Sequence, residues 1–282
     1  MEELFEYIKK INIKVKFLST DIFAGEYASA FKGRGLEFEE VREYMVGDDI
    51  KSIDWNTTAK TGALHTKVYK EERELTAMIL LDTSTSMNFG SKWAFKADLA
   101  TEIAALFSYT AIKNNDKVGL ILFDNNVHTY ISPKKGRNHI WHIIKTIVNN
   151  KHHNRKTNVR EALKFLSNTI KKKSIAFVIS DFIMDSDFIS PFKYLKKTFD
   201  FVPIIISDPM EEKFKFKKKI VFNYQDCESE NLYRGFINFE NSRRKELVAN
   251  FRKINIYPID ITTHKPYLHE IIKYFRARRR KF

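Results

Sequence analysis

The sequence predicts an α/β fold, doubly wound around a mainly parallel sheet, and three observations carry that expectation. Apolar runs at residues 78–81, 117–123, 174–180 and 201–206 are short and unbroken, as strands covered on both faces must be. Between them, apolar residues recur at helical spacing, so the strands run parallel and are joined by right-handed crossovers. The first and third runs stop abruptly at a carboxylate, Asp82 and Asp181, at the carboxyl ends where open α/β sheets hold ligands. We expect a Rossmann-type strand order, 3-2-1-4-5-6, with those two strands flanking the switch point and one antiparallel edge strand.

In chain order, Leu4, Phe5 and Ile8 have the spacing of a short opening helix, and residues 11–18 alternate like a strand. Residues 27–72 are rich in charge and turn residues, yet Phe38, Val41, Tyr44, Ile50, Ile53 and Trp55 punctuate them, which predicts an ordered platform rather than a linker. Gly33 and Gly35 beside Lys32 and Arg34 suit a tight turn or, less simply, an anion-binding nest. Asp48 and Asp49 suit the cap of a short helix carrying Ile50, Ile53 and Asp54, with Trp55 in a core position. Residues 63–69 then read as a strand. Residues 1–73 are accordingly expected to form a small N-terminal α+β platform and residues 74–282 the α/β domain.

Within that domain, Ser91 suits the N-cap of a long helix to about Lys113, made apolar by Trp93, Phe95, Leu99, Ile103, Ala104 and Phe107. Residues 127–131 form the hairpin partner of the 117–123 strand, and Pro133 ends them. Helices fit 137–148, 158–171 and 187–198; residues 213–238 carry no clear pattern. A helix at 241–252, a strand at 256–261 and a last helix at 266–278 complete the alternation.

Composition excludes several classes. Hydrophobic residues at 43% and charged residues at 30% describe a globular chain, not a disordered one. The lone Cys227 allows neither an intramolecular disulfide nor a CxxC metal or redox site. No apolar run approaches the roughly 18 residues of a membrane span, and the N-terminus has early acids and no apolar signal region, so a non-spanning cytoplasmic protein is expected. A formal net charge of +14 admits an acidic protein, a nucleic acid or an anionic surface as partner without choosing among them.

The chemistry concentrates after the first apolar run, in Asp82-Thr83-Ser84-Thr85-Ser86. If the chain stays extended there, Asp82, Ser84 and Ser86 converge while Thr83 and Thr85 face elsewhere. A carboxylate with two hydroxyls is a hard, oxygen-only ligand set suited to Mg²⁺, Mn²⁺ or Ca²⁺. Taken alone, the same pattern is more simply a hydroxyl-rich turn capping the next helix.

The pattern resembles a von Willebrand factor A domain with a metal-ion-dependent adhesion site: D-x-S-x-S after the first strand, a threonine before a later helix, and an aspartate after the fourth strand. The matching residues are Asp82, Ser84, Ser86, Thr157 and Asp181, all present and in order. The resemblance implies that these five hold a divalent cation, Mg²⁺ first, open to a partner's acidic side chain. The run FKGRGLEFEEVREYMVGDDIKSIDWNTTAKTGALHTK, residues 31–67, resembles the signature of the bacterial family called domain of unknown function 58. That narrower resemblance covers residues 27–183 and implies a co-chaperone-like adaptor working with an AAA+ ATPase of the MoxR type. Many such relatives carry N-terminal membrane spans, with no counterpart here. Lys51 and Lys60 stand where the family usually has arginine, and Arg155-Lys156-Thr157 where glycines are common.

Two other function classes compete with the adaptor. In a metal-dependent phosphohydrolase or nuclease, Asp82 and Asp181 would hold Mg²⁺ while Ser84 or a water attacks phosphorus, with His152 or His153 as base. Nucleic-acid binding would rest on the tail of Arg276, Arg278, Arg279, Arg280 and Lys281, which equally suits a disordered, solubilising end.

Overall fold

The computed structural model describes residues 21–31, 36–71, 75–90, 95–150, 156–184, 188–209 and 244–279, with scattered positions between 6 and 19. Helix α1 (Asp21–Phe31) precedes an antiparallel pair, β1 (Leu36–Glu43) and β2 (His65–Glu71), whose connection carries a 3-10 turn (Ile50–Ser52) and helix α2 (Trp55–Thr61). There follow β3 (Thr76–Asp82), α3 (Lys96–Lys113), β4 (Lys117–Phe123), β5 (Val127–Lys134), α4 (Arg137–Val148) and α5 (Val159–Thr169). The chain continues through β6 (Ser174–Ser180), α6 (Ile189–Leu195), β7 (Phe199–Ser207), α7 (244–253), β8 (Ile259–Thr262) and α8 (Tyr267–Arg279).

The six-stranded sheet has the order β5-β4-β3-β6-β7-β8, which, counted from β3, is the expected 3-2-1-4-5-6. Every pairing is parallel except that of the edge strand β5 with β4. Alternate residues of one strand serve the two faces: Ile79 and Leu81 pack with α1, α3, α4 and α8, while Met78 and Leu80 pack with α5, α6 and α7. The switch point lies between β3 and β6, whose carboxyl ends bring Asp82 and Asp181 to the same sheet edge.

Helix α1 belongs to the core of this sheet rather than to the two-stranded unit that follows it. Phe23, Tyr27 and Phe31, four residues apart, bury one face of α1. They meet Phe177 of β6, Phe107 of α3 and Phe275 of α8, with Phe107 stacked on Phe177 at 4.2 Å between ring centres.

Several expectations are corrected. The strand expected at 11–18 is helical at every described position, Ile11, Lys14 and Lys16 to Leu18; Lys14 reaches Glu102 of α3 at 2.6 Å, so the alternation reflects charges facing a neighbour, not a pleat. Helix α3 starts at Lys96 with Phe95, itself exposed, at its cap, so it begins four residues later than a Ser91 cap implies. Pro133 does not end β5, because at a sheet edge its missing N–H leaves no neighbouring strand unpaired. Trp55 is 65% exposed, since Asp54 caps α2 and leaves the first helical residue on the outer side. The described arginines of the tail lie in α8: Arg276 contacts Glu26 of α1 at 3.0 Å, and Arg278 pairs with Asp200 and lies 4.6 Å over the Phe31 ring. The opening helix, the glycine pair at 33 and 35, Ser91, Trp93, His152, His153 and residues 213–238 lie outside the described residues.

Gly119 gives the fold a local test. A Cβ there would lie 2.7 Å from Met78 Sδ and 2.9 Å from the Ile131 carbonyl, and the second contact is backbone that cannot swing away. Gly119→Ala is expected to destabilise the protein by about 1–3 kcal/mol, read as a lowered denaturation midpoint with unchanged slope.

Candidate metal centre

The site is built where three carboxyl-edge loops meet. Asp82 ends β3 with 2% exposure, and its Oδ1 accepts the Ser84 backbone N–H at 2.9 Å, turning the chain sharply. Thr83 faces away, as alternation predicts, donating to the Phe123 carbonyl at 3.0 Å and lying 2.8 Å from His128 Nε2. Past Ser84 the chain is not extended. It enters a 3-10 turn (Thr85–Asn88), and the turn brings Ser86 Oγ to 3.1 Å from Ser84 Oγ. Ser84 begins that turn, but its hydroxyl makes no capping bond, so the capped-turn reading does not account for it.

Thr157 joins the cluster from the loop before α5, donating to Ser84 Oγ at 2.6 Å and approaching Asp82 Oδ2 at 3.1 Å. Glycines are not needed to place it. The next residue, Asn158, donates its N–H to the Asp124 carbonyl at 2.8 Å and caps α5 by accepting from Glu161 N, so the loop is clamped to the end of β4. Asp181 arrives from β6, 3% exposed, with Oδ1 accepting the Ile183 N–H at 3.1 Å and Oδ2 accepting from Lys96 Nζ at 2.8 Å. The structure thus links Asp82, Ser84, Ser86 and Thr157 by direct hydrogen bonds and sets Asp181 beside them at the same edge.

Electrostatics mark the same place. Burial, and after it the charge of Asp181, push the Asp82 carboxyl up to about 7, against the hydrogen bonds from Ser180 and Ser84 that favour its ionised form. Lys96 compensates Asp181, while Asp82, taken out of water beside it, is left to be neutralised by a proton or a cation.

Residues 40–252, well over half the chain, match the family described as protein of unknown function DUF58. The chain belongs to this family. Uncharacterised proteins of Mycobacterium tuberculosis and Mycobacterium bovis are 23% identical over 97% of this DUF58 chain and 89% of their own length. Among solved structures, an aerotolerance-related membrane protein of Bacteroides fragilis superposes with a TM-score of 0.52 at 13% identity, covering 74% of this chain and all of that one. The SpRpn10 VWA domain gives a TM-score of 0.41 at 14% identity, over 71% of this chain and 95% of that one. At such identities the first likeness shows the fold alone, and with the observed strand order the DUF58 chain has a von Willebrand factor A-like α/β fold.

Two residues of this DUF58 site escaped the sequence reading. Ser180 donates to Asp82 Oδ2 at 2.5 Å and accepts from the Phe182 N–H at 2.8 Å, while Phe182 sits at a φ of 53°, a left-handed conformation unusual for an aromatic residue. Nothing in the sequence singles Ser180 out from other strand-end serines. Lys96 was legible: it precedes Leu99, Ala100 and Ile103 at helical spacing and so falls on the buried stripe of α3, where an unpaired lysine is not tolerated. Among the described residues no group of three or more His, Cys, Asp or Glu side chains could hold a metal. A cation here would depend on hydroxyl and carboxylate oxygen, and such donors fit Mg²⁺ or Mn²⁺ better than zinc. No helix among the described residues is long and apolar enough to cross a membrane.

Proposed function

We propose that this DUF58 protein is a metal-dependent protein-binding adaptor. Asp82, Ser84, Ser86, Thr157 and Asp181 hold a divalent cation, Mg²⁺ first and Mn²⁺ or Ca²⁺ as substitutes, and a partner's acidic side chain docks on it. The observation that carries the reading is the convergence of buried oxygens from two loops, 2.6–3.1 Å apart, around a carboxylate that a second carboxylate, from a third loop, disfavours. When bound, the cation would supply an electropositive coordination point for an incoming carboxylate. The net charge of +14 favours approach of an acidic partner. As a working partner we propose an AAA+ ATPase of the MoxR type in the cytoplasm, on the family resemblance.

A second surface supports the adaptor. The connection between β1 and β2 exposes Met45, Val46, Ile50, Trp55 and Leu64, all at one end of the two-stranded sheet. Hydrolysis is less well supported: Ser84 Oγ is engaged by Thr157 and Ser86, and His128 is bonded to Thr83, which faces away from the cluster. Turnover of a phosphoester by the isolated chain, lost in Asp181→Ala, would favour that alternative.

The adaptor is tested by retention of proteins from the source cells on immobilised chain, with Mg²⁺ and with chelator. An ATPase retained only with the cation supports it; retention indifferent to chelator contradicts the metal's part. A pH dependence follows too. The folded Asp82 holds its proton to higher pH than the unfolded chain, so the metal-free protein loses stability as pH rises from the ordinary carboxylate range to about 7. Cation binding displaces that proton, so Mg²⁺ affinity is expected to fall steadily as the buffer is acidified below about 7, read by calorimetric titration.

A further inference from the structure

Lys96 is the group that the metal-site reading does not use. Its side chain is fully buried, and its ammonium lies 2.8 Å from Asp181 Oδ2 and 5.7 Å from the centre of the Phe89 ring. Its backbone N–H donates to the Phe89 carbonyl at 2.9 Å, which ties the start of α3 to the end of the hydroxyl turn. The lysine is the first residue of α3, the positive end of the helix dipole and the wrong end for a cation. A purely structural ion pair has little to recommend it there, since buried pairs rarely stabilise more than apolar residues of the same shape. The placement makes sense through the carboxylate that it holds.

The charges give that contact a consequence. Asp82, Asp181 and Lys96 sum to one negative charge when all are ionised. A divalent cation turns the sum to one positive charge, which a single carboxylate from outside neutralises. Without the lysine, the loaded site would already be neutral and would have little use for an anionic ligand. Resting on the metal-site reading, we propose that Lys96 is a resident counter-ion: it holds Asp181 against the incoming cation and leaves the loaded site demanding an anion. Metal loading and capture of an acidic side chain thereby become coupled.

The two effects have opposite signs, which a merely structural lysine would not produce. In Lys96→Met, Mn²⁺ is expected to bind about tenfold more tightly than in the wild type, a coupling of ordinary size. Acetate, as the carboxylate probe, is expected to strengthen Mn²⁺ binding to the wild type and to do so far less in the variant. Lys96→Gln, which keeps a donor for Asp181 without the charge, gives the same comparison should the methionine variant fold poorly. Calorimetric titration of the intact chain reads all three proteins. Equal or weaker Mn²⁺ binding in both variants, or an acetate effect that survives them, overturns the role of Lys96 while leaving the metal site standing. Failure of Mn²⁺ to bind any of the three removes the metal site itself, and the counter-ion with it.

Discussion

Asp82→Ala is expected to abolish the rise in melting temperature that the proposed site predicts for the wild type with Mg²⁺ or Mn²⁺, and to leave the metal-free protein folded. Asp82 accepts from three groups of the cluster and its surroundings, the Ser84 N–H, the Thr157 hydroxyl and the Ser180 hydroxyl. Losing it strands those donors, at about 1–3 kcal/mol for a buried group. It also removes a buried carboxylate that Asp181 already disfavours, so the two changes partly cancel in the metal-free state. No such compensation exists for the loaded state. At a cation concentration of a hundred times Kd, binding is worth about 2.7 kcal/mol, all of which the variant forfeits. Differential scanning calorimetry with cation and with chelator measures both terms; a variant that still responds to the cation would place the ligand set elsewhere.

Trp55→Ala is expected to weaken binding of the proposed partner by about 2 kcal/mol or more, roughly thirtyfold, while the melting temperature hardly moves. Its ring is 65% exposed, so truncation leaves no cavity, and surface changes of that kind usually stay within about 0.5 kcal/mol. The neighbouring Asp54 is a poorer probe, because it caps α2 by accepting from Asn56 N at 3.0 Å and Thr57 N at 3.3 Å. Its removal would cost about 1 kcal/mol of stability whatever the surface does. Trp55 therefore separates an interface from a scaffold: retention of the proposed ATPase partner by the variant at wild-type strength would reduce the β1–β2 connection to packing and caps.

The sheet was legible because its strands are unbroken apolar runs, a pattern that only burial on both faces explains, and because two of them end in carboxylates. Thr157 and Asp181 were found through the order of a motif, and the structure brings both to the edge where Asp82 stands. What the sequence concealed has local causes. Ser86 reaches Ser84 through a 3-10 turn, not along an extended chain, so the two hydroxyls meet by a different geometry from the expected one. Alternation at 11–18 imitates a strand because a helix can also place charge at spaced positions, as Lys14 does toward Glu102. Trp55 looked like core because tryptophan usually is, and the turn that exposes it depends on the cap at Asp54. Lys96 needed only the helical spacing of its stripe to be noticed, but its partner comes from a strand 85 residues away.

The central claim is that the Asp82, Ser84, Ser86, Thr157 and Asp181 oxygens hold a divalent cation. Its most direct test is anomalous diffraction from crystals grown with Mn²⁺. The account predicts one anomalous peak among those five side chains, within coordination distance of the serine hydroxyls, and absent from Asp82→Ala crystals. Crystals with Mn²⁺ in the mother liquor but no peak there, and the cluster still closed by its own hydrogen bonds, would contradict it.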